Sequence, residues 1–135
     1  MINGNFKFVQ QDNFSAYLTA LGMKPLAVKA LQHSAPNISI EHNGPHIAIK
    51  VITHQERRTI NLVLEQEYTS RSFVTVGEPS QTYFSQYYTR LEANTLITQE
   101  LNDPSSLIVL IINETDMTMV LAKSGISAKR QFSRL

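Results

Sequence analysis

The sequence predicts an all-β protein, a ten-stranded antiparallel up-and-down barrel capped by a helix-turn-helix lid. From Asn37 to the end of the chain, apolar and polar residues alternate in runs that begin about every ten residues. The turns between these runs are too short for the crossovers that parallel strands require. A sheet of ten antiparallel strands has two open edges, and closing it into a barrel removes them. We interpret residues 1–135 as a single domain.

The first strand, FKFV, is followed by a first predicted helix in FSAYLTAL. Asn13 precedes this segment and is a favourable N-cap residue, while Gly22 is expected to end the helix. The apolar residues at helical spacing are Phe14, Tyr17, Leu18 and Leu21.

A second helix is predicted in KPLAVKALQHSAP. Pro25 suits the first turn of a helix, and Pro36 prevents the helix from continuing. Its predicted apolar side consists of Leu26, Ala30 and Leu31. The two segments together predict a short helix-turn-helix that covers one end of the barrel.

The remaining strands begin with ISIEHNGPHIAIKV, in which Asn43-Gly44 is a strong signal for a β-hairpin. The further predicted strands are RTINLVLEQEYTS, SFVTV, TYFSQYYTR, TLITQEL, SLIVLIIN, MTMVLAK and ISAKRQFSR. Turns between them contain Gly77-Glu78-Pro79, Leu91-Glu92-Ala93-Asn94, Asn102-Asp103-Pro104, Asn113-Glu114-Thr115-Asp116 and Ser124-Gly125. A barrel of this size encloses more space than its own side chains fill, which predicts a ligand cavity.

One strand departs from the alternating pattern, because SSLIVLIIN has an unbroken apolar run from Leu107 to Ile112. Spanning a membrane takes roughly 20 apolar residues, so this run is a short strand that is apolar on both faces. If Ile108, Leu110 and Ile112 face the cavity, then the residues that alternate with them face outward, namely Leu107, Val109 and Ile111. Such an outer row predicts a contact surface for a homodimer or another partner.

Composition excludes several classes of function. Charged residues make up 17% of the chain, with 12 Lys and Arg against 11 Asp and Glu, so no basic surface for nucleic acid is expected. The absence of cysteine removes disulfides, thiol nucleophiles and Cys-based zinc sites. The N-terminal segment MINGNFKFVQ lacks the apolar stretch of a secretory signal, and we expect a cytoplasmic protein.

No arrangement of residues points to catalysis. The sequence has no Gly-x-Ser-x-Gly elbow, no paired carboxylates in an apolar context and no phosphate-binding loop. His42 and His46 stand on either side of the predicted hairpin turn, and the histidine spacings do not fit a helical metal-binding pair. We therefore expect neither an enzyme nor a metal site, and no cofactor.

The order of these elements resembles that of the intracellular lipid-binding proteins, the family of fatty-acid-binding and cellular retinoid-binding proteins. NFSAYLTALG looks like the first lid helix of that family, and KALQHSAPNISI looks like its second helix leading into the next strand. LEQEY, TQELNDP and SGISAKRQFSRL resemble three later segments, so that the likeness covers essentially the whole chain. The resemblance implies the barrel known as a β-clam and non-covalent carriage of a hydrophobic ligand.

The family binds a ligand carboxylate with an Arg-x-Tyr on the last strand and a second Arg or Gln two strands earlier. Arg130 occupies the first of these positions, but Phe132 replaces the Tyr and Leu110 stands where the second donor is expected. Alternation places Arg130 and Phe132 on one face, so both should point inward. The alternatives for Arg130 are contact with a ligand, direct or through water, and pairing with an internal carboxylate.

Further polar candidates are indicated by the alternation of side chains along the predicted strands and by the family resemblance. Arg58 is in phase with the inward set of ERRTINLVL and would restore a cationic partner, although it could instead face solvent at the strand end. Gln99 falls at a family position that points into the cavity, and Gln86 and Tyr88 are placed inward with Phe84. Tyr83 and Tyr87 are then on the outer face. The predicted ligand contacts are completed by Phe14, Tyr17, Leu18, Met23, Ala27, Thr53, Ile108, Met119 and Leu121.

The leading hypothesis for function is intracellular binding and transport of a long-chain fatty acid in the barrel cavity. A carrier of a neutral ligand, such as a retinoid, sterol or pigment, is the first alternative, because two carboxylate-binding groups are replaced. A barrel that serves as a dimerising interaction module is the second. The lid has only Lys24 and Lys29 as cations, so we expect weak or transient membrane contact.

Overall fold

A computed structural model of the chain describes residues 2–54, 57–71 and 84–135. In this part of the chain two helices follow the first strand, and nine further strands follow the helices. No helix within these ranges is long and apolar enough to cross a membrane. The elements are β1 Gly4–Asp12, α1 Phe14–Ala20, α2 Pro25–Gln32, β2 Asn37–Asn43, β3 His46–Ile52, β4 Arg57–Val63, β5 Glu67–Arg71, β6 Phe84–Glu92, β7 Thr95–Glu100, β8 Leu107–Ile112, β9 Asp116–Lys123 and β10 Ile126–Arg134.

The strands form one antiparallel sheet in the order β4-β3-β2-β1-β10-β9-β8-β7-β6-β5. Because β1 pairs with β10, the first and last strands lie side by side in the middle of this order. The two edge strands, β4 and β5, approach each other, and Leu64 bridges to Thr89 on β6. The sheet is thus a nearly closed barrel, and the predicted fold class is confirmed.

One predicted strand is two strands in the structure. The run RTINLVLEQEYTS is broken at Glu65, whose φ of 62° lies in the left-handed region that interrupts an extended strand. The backbone N–H of Glu65 donates to the carbonyl of Thr89 at 2.9 Å, which ties this break to β6. The predicted strand SFVTV, the turn at Gly77-Glu78-Pro79 and Tyr83 lie outside the described residues.

The interior of the barrel is built by alternation, as the period of two predicts. On β2, β3, β4, β8, β9 and β10 every second side chain is buried, and a buried Ile or Leu contributes roughly 1.5–3 kcal/mol. The buried set on these strands is Ile38, Ile40, Ile47, Ile49, Ile60, Leu62, Ile108, Leu110, Ile112, Met117, Met119, Leu121, Ala128, Arg130 and Phe132. The core therefore sits inside the barrel, against the lid.

Asn13 does not cap α1 as its residue type predicts. It occupies the N-cap position with a left-handed φ of 60°, and its side chain makes no capping hydrogen bond. Its Nδ2 instead donates to the backbone carbonyl of Ser127 at 2.8 Å. Asn13 thus occupies the predicted N-cap position, but its side chain joins the start of the lid to β10 instead of capping the helix.

The apolar side predicted for α2 is also only partly correct. Leu26 is 83% exposed and Ala30 is exposed, whereas Leu31 packs against the core together with Val28. A short helix lying flat on the end of a barrel buries only the side that faces the opening, so Leu26 is left outside. In contrast, α1 is anchored by three buried residues, Phe14, Tyr17 and Leu18.

Strand β6 has the opposite phase from the one predicted. Tyr87 is buried, whereas Gln86 is exposed and Tyr88 lies on the outer face. The ion pair between Arg90 and Glu92, at 3.0 Å on the exposed face, shows the reason. Both side chains are charged and favour contact with solvent. Because side chains alternate along a strand, Tyr88 and Gln86 lie on the same outer face as this pair.

The prediction that Gln99 points into the cavity is wrong by one residue. Leu96 and Thr98 are buried on β7, at 1% and 3% exposure, and Gln99 is exposed. Leu96 pairs with Leu110 of β8, and the burial of both leucines sets which face of β7 is inside. Because side chains alternate along a strand, Gln99 is then outside.

Arg134 connects the end of β10 to two other segments at the end of the barrel. Its Nη2 donates to the carbonyl of Asn113 at 3.0 Å, and its Nη1 donates to the carbonyl of Asn3 at 2.7 Å. Its guanidinium carbon lies 4.8 Å from the centre of the Phe6 ring. One side chain thus joins β10 to the β8–β9 turn and to the N-terminal segment.

We expect Arg134→Met to lower the free energy of unfolding by about 1–3 kcal/mol, because it removes hydrogen bonds from a charged donor to backbone carbonyls. Urea denaturation followed by circular dichroism measures the change. Arg90→Met is the matched control, since the ion pair of Arg90 with Glu92 is exposed and its loss should cost less than about 1 kcal/mol. Equal effects of the two substitutions would contradict the connecting role of Arg134.

Candidate functional site

The candidate site is centred on Arg130, whose side chain is only 7% exposed. Its Nε donates to Oε1 of Gln11 at 3.1 Å, and its Nη2 donates to the backbone carbonyl of Ser34 at 2.8 Å. Gln11 is on β1, next to β10, and Ser34 follows α2. The guanidinium therefore lies where the barrel wall meets the lid.

A β-bulge in β1 brings Gln11 to this position. The register with β10 shifts between Phe8 and Gln10, so that Phe8 pairs with Phe132 and Gln11 pairs with Arg130. Without the extra residue, alternation would place Phe8 and Gln11 on opposite faces of the strand. The bulge gives them the same inward phase, and both contact Arg130.

Among the described residues, three aromatic rings surround the guanidinium. Its carbon atom lies 4.2 Å from the ring centre of Phe14, 4.9 Å from that of Phe8 and 5.9 Å from that of Phe132. The rings of Phe8 and Phe132 are 5.8 Å apart in an edge-to-face arrangement. Cations over aromatic faces are attracted by the ring quadrupole, so these rings partly offset the loss of water around the charge.

The charge of Arg130 has no acidic counterpart in the described part of the chain. The ion pairs found there join Lys50 to Glu41, Arg90 to Glu92 and Lys123 to Asp103. Burial lowers the pKa of Arg130 from 12.5 to about 10, and no neighbouring carboxylate counteracts this shift. A buried cation without a counter-ion creates a positive site that favours an anion.

The predicted contact residues divide into three groups according to burial. The first group lies on the inner face of the barrel or lid and is buried: Phe14, Tyr17, Leu18, Met23, Ile108, Leu110, Met119, Leu121, Arg130 and Phe132. The second group is half-buried: Ala27, Thr53 and Arg58. Arg58 has the predicted inward phase and pairs with Val51 on β3. Gln99 is exposed, as is Gln86.

Several polar residues of the interior were missed by the sequence analysis. Thr89 and Thr98 are buried and share a hydrogen bond of 2.9 Å between their hydroxyls. The hydroxyl of Tyr68 also hydrogen-bonds to Thr89, and the Ser85 hydroxyl donates to Oε1 of Glu100 at 3.0 Å. The signal that could have identified them is the outward Arg90-x-Glu92 pattern, which sets the phase of β6.

The histidines show no sign of a shared site. Among the described residues, no group of three His, Cys, Asp or Glu side chains is placed to hold a metal ion. His42 uses its Nε2 for a hydrogen bond of 2.8 Å with the carbonyl of Gly44. This hydrogen bond lies within the β2–β3 turn, so His42 has a structural role there.

Comparison with known proteins gives a consistent result. No family model matches the chain. A fatty acid-binding protein of Tyrophagus putrescentiae is 23% identical over 133 residues, which cover 98% of this chain and 97% of the relative. That relative therefore matches this chain along almost its whole length.

Solved structures share the fold. A mutant of the REP1-NXSQ fatty acid transporter superposes with a TM-score of 0.84 at 20% identity, over 98% of this chain and 97% of that protein. A fatty acid-binding protein from brain tissue of Drosophila melanogaster gives a TM-score of 0.83 at 16% identity, over 98% and 99% of the two chains. The chain thus shares the ten-stranded barrel fold of these solved structures and is similar along almost its whole length to a fatty acid-binding protein.

Proposed function

We propose that this protein binds a long-chain fatty acid non-covalently inside the barrel and transports it in the cytoplasm, without catalysing a reaction. The observation that carries the proposal is the buried guanidinium of Arg130, which has no acidic counterpart in the described residues. The fatty-acid-binding and fatty-acid-transporting relatives support the same ligand class.

The hydrocarbon chain would supply most of the binding energy. At about 0.8 kcal/mol per buried CH2, a chain of about 16 carbons gains roughly 10 kcal/mol before entropy losses. Leu110, Met119 and Phe132 offer an apolar lining close to Arg130, since Arg130 pairs with Met119 and Met119 pairs with Leu110. The carboxylate contact then determines the orientation of the ligand more than its total affinity.

A guanidinium has five N–H donors, so hydrogen bonds to Gln11 and Ser34 leave capacity for a carboxylate. Hydrogen bonds that involve a charged group are stronger than neutral ones, and burial strengthens them further. A neutral ligand is the alternative, and it is favoured by one observation. Leu110 and Phe132 are buried at 2% and 1% exposure and provide no donor beside Arg130.

We expect Arg130→Ala to weaken palmitate binding roughly tenfold to a hundredfold, because a charge-assisted hydrogen bond is lost. Isothermal titration calorimetry on delipidated protein measures the change. Lys129 is exposed on the outer face of β10, next to Arg130 in the chain. Lys129→Ala removes the same charge there and is the matched control. Hexadecanol, which lacks the carboxylate, should bind both variants about as well as it binds the unmodified protein.

Unchanged palmitate affinity in Arg130→Ala would refute the carboxylate role. Tighter binding of hexadecanol than of palmitate by the unmodified protein would instead support the neutral-ligand alternative.

We also expect ligand-free Arg130→Met to be as stable as the unmodified protein or more stable, by as much as about 2 kcal/mol. Burial lowers the pKa of Arg130, so at any pH below about 10 the folded state disfavours a charge that the unfolded chain carries freely. Removing that charge relieves the penalty at neutral pH. Urea unfolding of delipidated protein tests this, with Lys129→Met as control, and a loss of more than about 1 kcal/mol would contradict it.

The outer row of β8 supports a second candidate, a contact between two copies of the barrel. Leu107, Val109 and Ile111 are half-buried on the outer face, and Val109 pairs with Ile97 on one side and Val120 on the other. These aliphatic neighbours form a continuous apolar strip across three strands. An apolar strip of this kind is a surface that a second copy could cover.

If the strip forms a dimer contact, light scattering should show that the molar mass rises from that of one chain to that of two chains as the protein concentration increases. Val109→Lys should then keep the protein monomeric, because it places a charge in the centre of the strip. Thr118→Lys adds the same charge on the adjacent strand, nearer the end of the row, and serves as the comparison variant. A strict monomer at high concentration would remove support for this candidate.

A further inference from the structure

Gln11 is a polar side chain of the barrel wall that contacts both Arg130 and the lid. Its Oε1 accepts a hydrogen bond from Nε of Arg130 at 3.1 Å, and its Nε2 donates to the backbone carbonyl of Gln32 at 2.5 Å. A guanidinium only donates and a carbonyl only accepts, so the two contacts determine which way the amide points. The oxygen of Gln11 faces the charge, and its nitrogen faces the end of α2.

Gln11 gives Arg130 an acceptor without giving it a negative charge. A glutamate in the same place would offer an acceptor of nearly the same size and would neutralise the guanidinium as an ion pair. A second acceptor, the backbone carbonyl of Ser34, is also neutral and lies 2.8 Å from Nη2. Within the described residues, the guanidinium is thus hydrogen-bonded to neutral groups and keeps its positive charge uncompensated.

The bulge in β1 also determines that the neighbouring carboxylate, Asp12, stays outside. Asp12 is exposed and stands opposite Lys129, which is exposed on the outer face of β10. Without the extra residue of the bulge, alternation would give Asp12 the inward phase of Phe8. A carboxylate would then be directed into the barrel. With the bulge, the amide of Gln11 is directed inward instead.

An uncompensated guanidinium discriminates between ligands by their charge. An anionic head group supplies the counter-ion that the protein withholds, and a charge-assisted hydrogen bond is roughly twice as strong as a neutral one. A hydroxyl head group accepts a hydrogen bond but leaves the charge uncompensated. A carboxylate at position 11 would reverse this order, because it would repel an anionic head group and not a neutral one.

We propose that Gln11 determines the preference of this site for acids over neutral lipids. It is a positioning residue, because it acts through Arg130. Its oxygen holds the guanidinium by a neutral hydrogen bond, and its lack of charge leaves the positive charge to the ligand. This inference rests on the proposed binding of a fatty acid at Arg130.

The experiment measures the preference for the acid as the ratio of the affinities for palmitate and hexadecanol. Titration calorimetry on delipidated protein gives both affinities. Gln11→Glu keeps an oxygen beside Arg130 and adds the negative charge. We expect it to lower the ratio about tenfold to a hundredfold, because the ligand carboxylate then competes with a carboxylate of the protein.

Gln10→Glu is the matched control. Gln10 precedes Gln11 in the chain, but it is exposed and its Nε2 donates to Oε1 of Gln131 at 3.4 Å on the outer face. The same exchange of an amide for a carboxylate is made there in solvent, where the added charge is screened. The ratio should stay as it is in the unmodified protein.

Gln11→Met separates the charge from the hydrogen bonds of the amide. It removes the contacts with Arg130 and with Gln32, as the glutamate variant disturbs the latter, but it adds no charge. We expect it to keep the preference for palmitate, even if both ligands bind more weakly because the lid is less well held. This variant still tests the inference if Gln11→Glu does not fold.

The possible failures differ from one another. An unchanged ratio in Gln11→Glu shows that the inference is wrong, and fatty acid binding at Arg130 stands. A loss of preference in Gln11→Met as large as in Gln11→Glu shows that the hydrogen bonds of the amide matter and not its neutrality, which also overturns the inference. If the unmodified protein binds palmitate no more tightly than hexadecanol, the proposed carboxylate contact fails before any variant is made.

Discussion

The burial of one positive charge is the constraint on which much of this structure depends. A guanidinium inside an apolar barrel is unfavourable unless other groups replace its water. In this protein the replacement comes from four separate parts of the chain. Gln11 belongs to β1, Ser34 to the segment after α2, Phe14 to α1 and Phe132 to β10 itself.

The same contacts attach the lid to the barrel. Gln11 accepts from Arg130 and donates through its Nε2 to the carbonyl of Gln32 at the end of α2, so it joins β10 to both β1 and the second helix. Asn13 adds a hydrogen bond from the start of α1 to Ser127. An anion that engages the guanidinium therefore acts on the group that holds both helices against the strands.

The interior has two chemically different sides. Strands β2–β4 and β8–β10 present mainly Ile, Leu and Met inward, with Arg130 as a buried charged residue among them. Strands β5–β7 present hydroxyls and a carboxylate from Tyr68, Thr89, Thr98 and Glu100. An apolar side favours a hydrocarbon chain, whereas the polar side favours groups that can donate and accept hydrogen bonds. The combination suits an amphiphilic ligand.

The sequence by itself determined the fold class, the helix pair and the inward face of most strands, because period-two alternation and short turns allow few other arrangements. It also identified Arg130 and Phe132 as inward neighbours. Only the tertiary structure decided the phase of β7, where Thr98 is buried in a hydrogen-bonded group and polarity no longer marks the outer face. Likewise, the sequence could not predict the bulge that turns Gln11 inward, or that the Ser34 carbonyl accepts a hydrogen bond. The partner of both residues, Arg130, is more than 90 residues away in the chain.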